Sequence, residues 1–285
     1  MATLTQILTT RKAVIDNFTA RVVADGGQIV SSTKLESAVN FLFDNNLYGR
    51  MGVCASPHYA VKLDGAGGVE KLYSIDGQDL VGLTLNGGTL PKLTVDNFVN
   101  FNEAVAADTV GGILTTATKQ AWSKTGRFGV AIATKEHVNS AINPIFSMST
   151  HGETSLNVDV FSIHSNTANA GTASTRINNA GYGGGNVPLT IVTINNSKNG
   201  ALMYSYDKYK QRTAFWIHGI FQAENKPLNA PSELYEREHY LDFGGTSRAS
   251  AKVVSGVKMS AMWFMKDLCD AQAIAINKFQ EAEYL

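Results

Sequence analysis

The chain of 285 residues carries 24 basic and 24 acidic side chains, so its formal net charge at pH 7 is zero. A neutral chain has no overall field that would draw it to nucleic acid or to an anionic membrane, and we expect it to associate through shape and apolar contact. Charged residues are only 17% of the sequence and glycines number 26, a composition typical of a loop-rich β protein and compatible with one that covers surface in an assembly.

The opening segment, MATLTQILTTRKAVIDNF, lacks the basic head and the continuous apolar core of a signal peptide, which predicts that the protein stays in the cytoplasm where it is made. No apolar run approaches the roughly 20 residues that span a bilayer. Cys54 and Cys269 are too far apart in sequence for a metal motif and are predicted to be buried free thiols.

Two amphipathic helices are predicted at the N terminus. Gly26 and Gly27 end the first helix, and Ser31 can cap a second that runs to about residue 46. The pair, residues 1–47, needs a surface to pack against, so it is predicted to be an attachment segment that docks on the rest of the chain, a second copy or another protein. From the apolar stripe of the first helix, the residues expected to make that contact are Leu4, Ile7, Ile15 and Phe18.

From residue 48 onwards, short stretches rich in Val, Ile, Thr, Tyr and Phe alternate with Gly, Asn and Asp, which is typical of strands and turns. Strands are predicted near residues 60–63, 69–74, 97–102, 128–134, 142–148, 154–164, 187–194, 201–206, 214–221, 235–243 and 256–264. No helical segment of ordinary length separates them, so two antiparallel sheets packed face to face are favoured over parallel βαβ units.

Two long polar loops interrupt the predicted strands. Residues 165–186 contain almost no large apolar side chains and have glycine at four positions, so this segment is predicted to be a solvated connection. Alternatively, it is a recognition loop at one rim of the sandwich, with Arg176 and Tyr182 as its contact residues. Residues 227–231 form the second loop.

The sequence neighbours of the three tryptophans predict burial for two of them and exposure for the third. Trp216 and Trp263 lie inside apolar runs and are predicted to be core residues. Trp122 is flanked by Lys119, Gln120, Ser123 and Lys124, which suggests an exposed indole that could stack on a sugar or fill a neighbour's pocket.

The sequence contains only weak candidates for catalytic or metal-binding residues. If extended, the segment SELYEREHYLD places Glu236 and Glu238 on one face and Glu233 on the other, which reads as a solvated strand edge rather than a glycosidase pair. The six histidines show no spacing for a shared metal, and no G-x-S-x-G turn marks a nucleophile. Oxygen atoms of residues 76–79 or 195–196 could contribute to a calcium site but are typical of turns. We therefore predict no enzyme activity, no metal and no cofactor.

Residues 206–212 combine tyrosines with basic side chains. Tyr206 and Tyr209 alternate with Lys208 and Lys210, a pattern that could stack bases or sugars and that a half-exposed strand also shows. Nucleic-acid binding is not predicted.

Several segments, in order, resemble structural proteins of tailed bacteriophages. ARVVADGGQIVSSTKLESAVNFL and SPHYAVKLDGAGGVEKLYSIDGQDL resemble the opening of such proteins. Residues 98–102, 127–134 and 242–279 resemble early and closing parts of their lectin-like or laminin G-like domain. The stretch 151–186 departs from the pattern.

The resemblance implies a concanavalin A-like antiparallel β-sandwich, or jelly roll, over residues 48–285, with a short C-terminal helix after the closing strand. It also implies a non-enzymatic virion protein, made in the host bacterial cytoplasm, whose partners are other virion proteins and copies of itself. The alternative is a carbohydrate-binding adhesin that recognises the host cell surface.

Overall fold

The computed structural model describes residues 4–101, 110–122, 124–135, 143–149, 161–166, 172–178, 186–193, 200–225, 238–247, 253–254 and 257–285. Within these ranges, three α-helices, α1 Leu4–Ala24, α2 Ser32–Asp44 and α3 Asp270–Tyr284, accompany two large antiparallel sheets, and the 3-10 turn Tyr48–Arg50 follows α2. None of the described helices is both long enough and apolar enough to cross a membrane.

The first sheet has ten strands among the described residues. In spatial order they are β1 Gln28–Ile29, β3 Ala60–Leu63, β4 Val69–Leu72, β5 Leu80–Leu85, β8 Gly111–Thr116, β17 Tyr240–Phe243, β10 Asn143–Ser149, β11 Phe161–Asn166, β12 Thr172–Asn178 and β13 Asn186–Thr193.

The second sheet has eight strands in the part of the chain that the structure describes. In spatial order seven of them are β16 Ile220–Asn225, β15 Arg212–Ile217, β14 Gly200–Asp207, β9 Arg127–Lys135, β20 Lys258–Lys266, β7 Val99–Asn100 and β6 Lys92–Leu93, and β2 Met51–Ala55 also pairs with β20. A two-stranded ladder joins β18 Gly245–Thr246 to β19 Val253–Val254.

Two apolar cores lie on the two faces of the second sheet. Alternate residues of β9, such as Val130 and Ile132, face the first sheet and join a core that contains Phe146 and Phe243. The intervening residue Ala131 belongs to a second core together with Trp263. This alternation follows the two-residue period of a strand, and it places helices over the outer face of the second sheet.

The helices contribute directly to the second core. Phe18 and Val22 of α1, Leu35 and Leu42 of α2, and Ile276 of α3 are all buried there. Ion pairs reinforce the packing: Arg21 Nη1 lies 2.5 Å from Asp79 Oδ2, and Lys34 Nζ lies 3.1 Å from Glu283 Oε1. The N-terminal helices therefore dock on the sandwich of their own chain.

The ends of the N-terminal helices follow their sequence signals. Gly26 adopts φ +73°, and the Gly27 N–H donates to the Val22 carbonyl, which ends α1. The Ser31 hydroxyl accepts from the Lys34 N–H at the start of α2.

The predicted fold is confirmed: an antiparallel β-sandwich of the jelly-roll kind, with an N-terminal helical pair and a C-terminal helix. A predicted strand and a predicted loop need correction. The expected strand 214–221 is two strands, because His218 and Gly219 have positive φ and form a hairpin turn between β15 and β16. The expected loop 165–186 contains β12, whose backbone pairs with β11 and β13 and so gains order without large apolar side chains.

Candidate binding surface

The turn between β14 and β15 presents an exposed tyrosine among basic residues. Asp207 pairs with Arg212 across the hairpin, so residues 208–211 form the turn. The Lys210 N–H donates to Asp207 Oδ1 at 3.0 Å, and the Lys208 N–H donates to the Gly126 carbonyl at 2.8 Å. The first bond closes the turn, and the second fixes it against the chain that enters β9.

The ring of Tyr209 is held in place while most of its surface stays open. The side chain is 72% exposed. Its ring lies so close to Gly126, which has φ +71°, that a Cβ on that glycine would be 3.1 Å from Tyr209 Cε2. The phenol reaches the Thr125 carbonyl at 3.4 Å, and the Arg127 guanidinium lies 5.9 Å from the ring centroid.

An arginine and aspartate network supports this turn. Asp267, with φ +50°, accepts from Arg127 Nη2 at 2.7 Å and from Arg50 Nη1 at 2.9 Å. The Asp267 N–H donates to the Arg127 carbonyl at 2.8 Å. One carboxylate therefore serves two guanidinium groups.

The surface has an excess of positive charge. Lys124, Lys208 and Lys210 are exposed around Tyr209. With Arg127 they make four basic groups within residues 124–127 and 207–211, against one acidic group, Asp207, which leaves an excess of three formal positive charges. We call residues 124–127 and 207–211 the Tyr209 surface.

The sequence indicated this region only in part. Tyr206, which was paired with Tyr209 in the predicted pattern, is 1% exposed and stacks on Phe128 in the core. Because a strand becomes a turn at residue 208, the alternation stops and Tyr209 alone reaches solvent.

A small pocket lies between α1 and the turn after β4. It has a volume of about 200 Å³, and its lining includes Asn17, Phe18, Arg21, Tyr48 and Asp76. Burial raises the pKa of the Asp76 carboxyl, and burial together with Asp76 raises the pKa of Tyr48. The pocket is smaller than the roughly 300 Å³ at which ligand sites begin.

The turn at residues 76–79 is occupied by bonds within the protein. Arg21 holds both carboxylate oxygens of Asp79, and the Ser74 hydroxyl donates to Asp76 Oδ1. Within the described ranges, no three His, Cys, Asp or Glu side chains are grouped to hold a metal ion. Residues 195–196 lie outside those ranges.

An apolar pair marks the start of β16. Ile220 is 64% exposed and Phe221 49% exposed, and the Phe221 ring packs edge-on against Trp216. The preceding turn is tied to α3, because His218 Nδ1 lies 2.6 Å from Glu281 Oε2. We call Ile220 and Phe221 the β16 patch.

The structure describes the burial of two of the four α1 residues that were predicted to make the docking contact. Phe18 is 2% exposed and packs against Tyr73, while Ile15 is partly buried against the second core. Leu4 and Ile7 belong to α1, but their side chains lie outside the described part of the chain. Phe18 therefore contacts its own sandwich.

Arg176 lies in β12, and Tyr182 lies outside the described residues.

The strand register of the first sheet places five residues at successive positions across neighbouring strands: Thr115, Asp242, Ser147, Ser162 and Arg176. Asp242 is fully buried, and burial raises the pKa of its carboxyl, which accepts bonds from the Thr115 hydroxyl and from Ser247. This carboxyl fixes the turn after β17.

The expectation that Trp122 is exposed is wrong. The side chain is 1% exposed, and its Nε1 donates to the His239 carbonyl at 2.7 Å. Gln120 forms a β-bridge with His239, which brings this segment onto the sandwich and turns the indole towards Phe264. The polar neighbours in sequence did not reveal this pairing.

The structure also gives the burial of the other two tryptophans, both cysteines and one of the three glutamates. Trp216 and Trp263 are buried, as predicted. Cys54 is buried as expected, but Cys269 is exposed at the start of α3. Glu238 is exposed, whereas Glu233 and Glu236 lie outside the described residues.

Solved structures share the fold at low sequence identity. A Trypanosoma rangeli sialidase in complex with 2,3-difluoro-KDN matches with a TM-score of 0.51 and 11% identity, over 88% of this chain and 40% of the sialidase chain. A Trypanosoma rangeli sialidase in complex with sialic acid gives 0.50 and 10%, over 89% and 40%.

The CBM40 of Ruminococcus gnavus IT-sialidase, bound to α2,3-sialyllactose, gives a TM-score of 0.45 and 17% identity, over 53% of this chain and 83% of that chain. No protein-family model matches the sequence, and no curated protein matches it. At these identities the structural likeness concerns the fold alone.

Proposed function

We propose that this protein is a non-enzymatic structural component of a bacteriophage virion, which builds or decorates the particle through contacts with other proteins and with copies of itself. The order of sequence motifs supports the phage origin. The observation that supports assembly is the β16 patch, where two consecutive residues of the strand expose large apolar side chains, directed to opposite faces of the sheet.

The β16 patch suits a protein contact for physical reasons. Apolar and aromatic side chains are enriched at the centres of interfaces, where charged residues are depleted. Strand β16 is the outermost strand of its sheet in the described structure, and its sequence, IFQAEN, contains one charged residue, Glu224, which pairs with Arg212 at 2.6 Å. The favoured occupant is a second copy, because one such patch can meet itself across a two-fold axis.

Light scattering of the full-length protein tests self-assembly. We expect the wild-type protein to have a mass that is a multiple of 30.6 kDa, and the double variant Ile220→Ser, Phe221→Ser to have the mass of one chain. Val95→Ser is the matched control, because Val95 is fully exposed in a turn elsewhere and should not affect assembly. A monomeric wild-type protein, or an oligomer that the double variant leaves intact, contradicts assembly through this patch.

A second candidate function is carbohydrate binding at the host cell surface. The Tyr209 surface favours it, because an open aromatic ring on a rigid turn can stack against the C–H groups of a sugar. Sialic acid and sialyllactose are ligands of the neighbouring proteins; for this chain they only suggest glycans worth testing.

A glycan array probed with the labelled full-length protein tests the second candidate. Binding that the Tyr209→Ala variant loses and the Tyr209→Phe variant keeps is expected, because phenylalanine retains the ring. Absence of binding to every glycan, or binding unchanged in Tyr209→Ala, would remove carbohydrate recognition from this surface.

A further inference from the structure

From the charges around Tyr209 we infer that its surface selects anionic saccharides, in which a sugar ring stacks on Tyr209 and an acidic group meets the neighbouring lysines. This inference rests on the second candidate function, carbohydrate binding, and names its ligand class. Carboxylate-bearing and phosphate-bearing sugars share the required chemistry.

The ring is already ordered before any ligand arrives. Backbone bonds from Lys208 and Lys210 hold the turn, and the ring rests on the backbone of Gly126. A platform that is fixed in advance loses little conformational entropy on binding. The 72% exposure of the ring leaves apolar area that a sugar face would cover.

The basic side chains near the ring are the reason to expect an acidic group on the ligand. Lys208 and Lys210 flank Tyr209 in sequence, and Lys124 precedes Thr125, whose carbonyl the phenol reaches; all three lysines are exposed. Arg127, whose guanidinium lies near the ring, shares the single carboxylate of Asp267 with Arg50. Two guanidinium groups and one carboxylate leave this network with one net positive charge. The whole chain is neutral, so the formal charge of this surface is more positive than that of the chain as a whole.

A saccharide fits better than a nucleic acid. Proteins that bind single strands stack successive bases on several aromatic side chains. Among the described residues, the exposed large apolar side chains include only Tyr209 and Phe221 as aromatics, and they lie at opposite ends of β15. One aromatic platform surrounded by lysines suits one ring with one acid group.

The experiment compares matched ligands with the full-length protein. The probes are oligosaccharides that end in a uronic acid, a sialic acid or a sugar phosphate, each paired with its neutral counterpart, together with a single-stranded oligonucleotide. Equilibrium binding is measured for the wild-type protein, Tyr209→Ala, Tyr209→Phe and the double variant Lys208→Ala, Lys210→Ala. Lys12→Ala serves as the charge control, because Lys12 is exposed on α1.

We expect at least one acidic ligand to bind, and Tyr209→Ala to weaken it about tenfold, the scale of one aromatic stacking contact. The neutral counterpart and the double lysine variant should each show about fivefold weaker binding, and Lys12→Ala should show none of these losses. Added salt should reduce the difference between acidic and neutral ligands.

The contradicting outcomes can be told apart. Equal affinity for acidic and neutral sugars, still lost in Tyr209→Ala, would overturn the anionic class while carbohydrate binding stands. Absence of binding to every sugar would overturn both. Preferential binding of the oligonucleotide, lost in the same variants, would replace the saccharide with a nucleic acid.

Discussion

Asp25, in the turn after α1, joins the first helix to the first sheet. It accepts hydrogen bonds from Lys71 Nζ at 2.6 Å and from the Tyr73 hydroxyl at 2.7 Å, and Lys62 Nζ lies 3.7 Å away. The bond from Lys71, followed by that from Tyr73, lowers the pKa of Asp25 from 3.8 to about 2. The folded state therefore favours the ionised carboxylate.

This shift gives the stability of the protein a defined pH dependence. A carboxyl whose pKa falls on folding stabilises the folded state above its unfolded pKa, and this contribution is lost as the pH falls through its folded pKa. We expect Asp25→Asn to be less stable than the wild-type protein at neutral pH, and the difference to shrink between about pH 5 and pH 2. Urea denaturation across this range measures it.

Tyr73→Phe provides the control for Asp25. It removes one of the two strong hydrogen bonds and leaves Lys71 in place, so the pH-dependent contribution should be reduced but not abolished. A difference between wild-type protein and Asp25→Asn that stays constant across the range would contradict the role assigned to this carboxylate.

At the residue scale, sequence neighbours were a poor guide to exposure. Trp122 lies among polar residues and is buried, because its segment pairs with His239, 117 positions away. Tyr206 and Tyr209 look equivalent in sequence, yet only Tyr209 is exposed. Such outcomes depend on long-range pairing and on the position of a turn, which the local pattern does not encode.

The segment between β5 and β6 illustrates close packing between elements. It crosses the first sheet so closely that a Cβ on Gly112 would lie 2.4 Å from the Thr89 carbonyl oxygen and 2.8 Å from Pro91 Cδ. A Cβ on Gly82 would lie 2.8 Å from Leu90 Cδ2. These glycines allow the segment to lie directly on β5 and β8.

Gly112→Ala should therefore destabilise the protein. The added methyl group must push backbone atoms apart, and we expect the free energy of unfolding to fall by about 1–3 kcal/mol, as for other overpacked sites. Gly65→Ala is the control, because no atom lies within 4 Å of a Cβ at that position. Denaturation with urea that shows equal stability for the two variants would refute this packing.

At the element scale, periodicity predicted the helices and many strands. Strand β9 was predicted at residues 128–134 and spans Arg127–Lys135, because its apolar residues form an unbroken run that is buried on both faces. Strands β2, β5, β8 and β12 were among those missed. Strand β8 begins with two glycines and β12 is rich in Thr, Ser and Ala, so neither of these two has the apolar pattern that marks a strand.

At the scale of the whole molecule, the sequence predicted that the helical pair must pack against another surface. It did not decide between the rest of the chain, a second copy and another protein. The structure shows that part of this surface is the chain's own sandwich, since Phe18 and Leu42 share a core with Trp263. The division into residues 1–47 and 48–285 stays a prediction. The Tyr209 surface and the β16 patch arise where hairpins turn, which neither composition nor periodicity locates.

The composition of the phage particle tests the central proposal most directly. Particles are purified by density gradient from cells that make this chain during phage growth, and their proteins are quantified by mass spectrometry. We expect peptides of this chain in the particle fraction, at a constant ratio to the major capsid protein from one preparation to the next. Recovery of the chain only from the soluble cell lysate, with none in the particles, would contradict it.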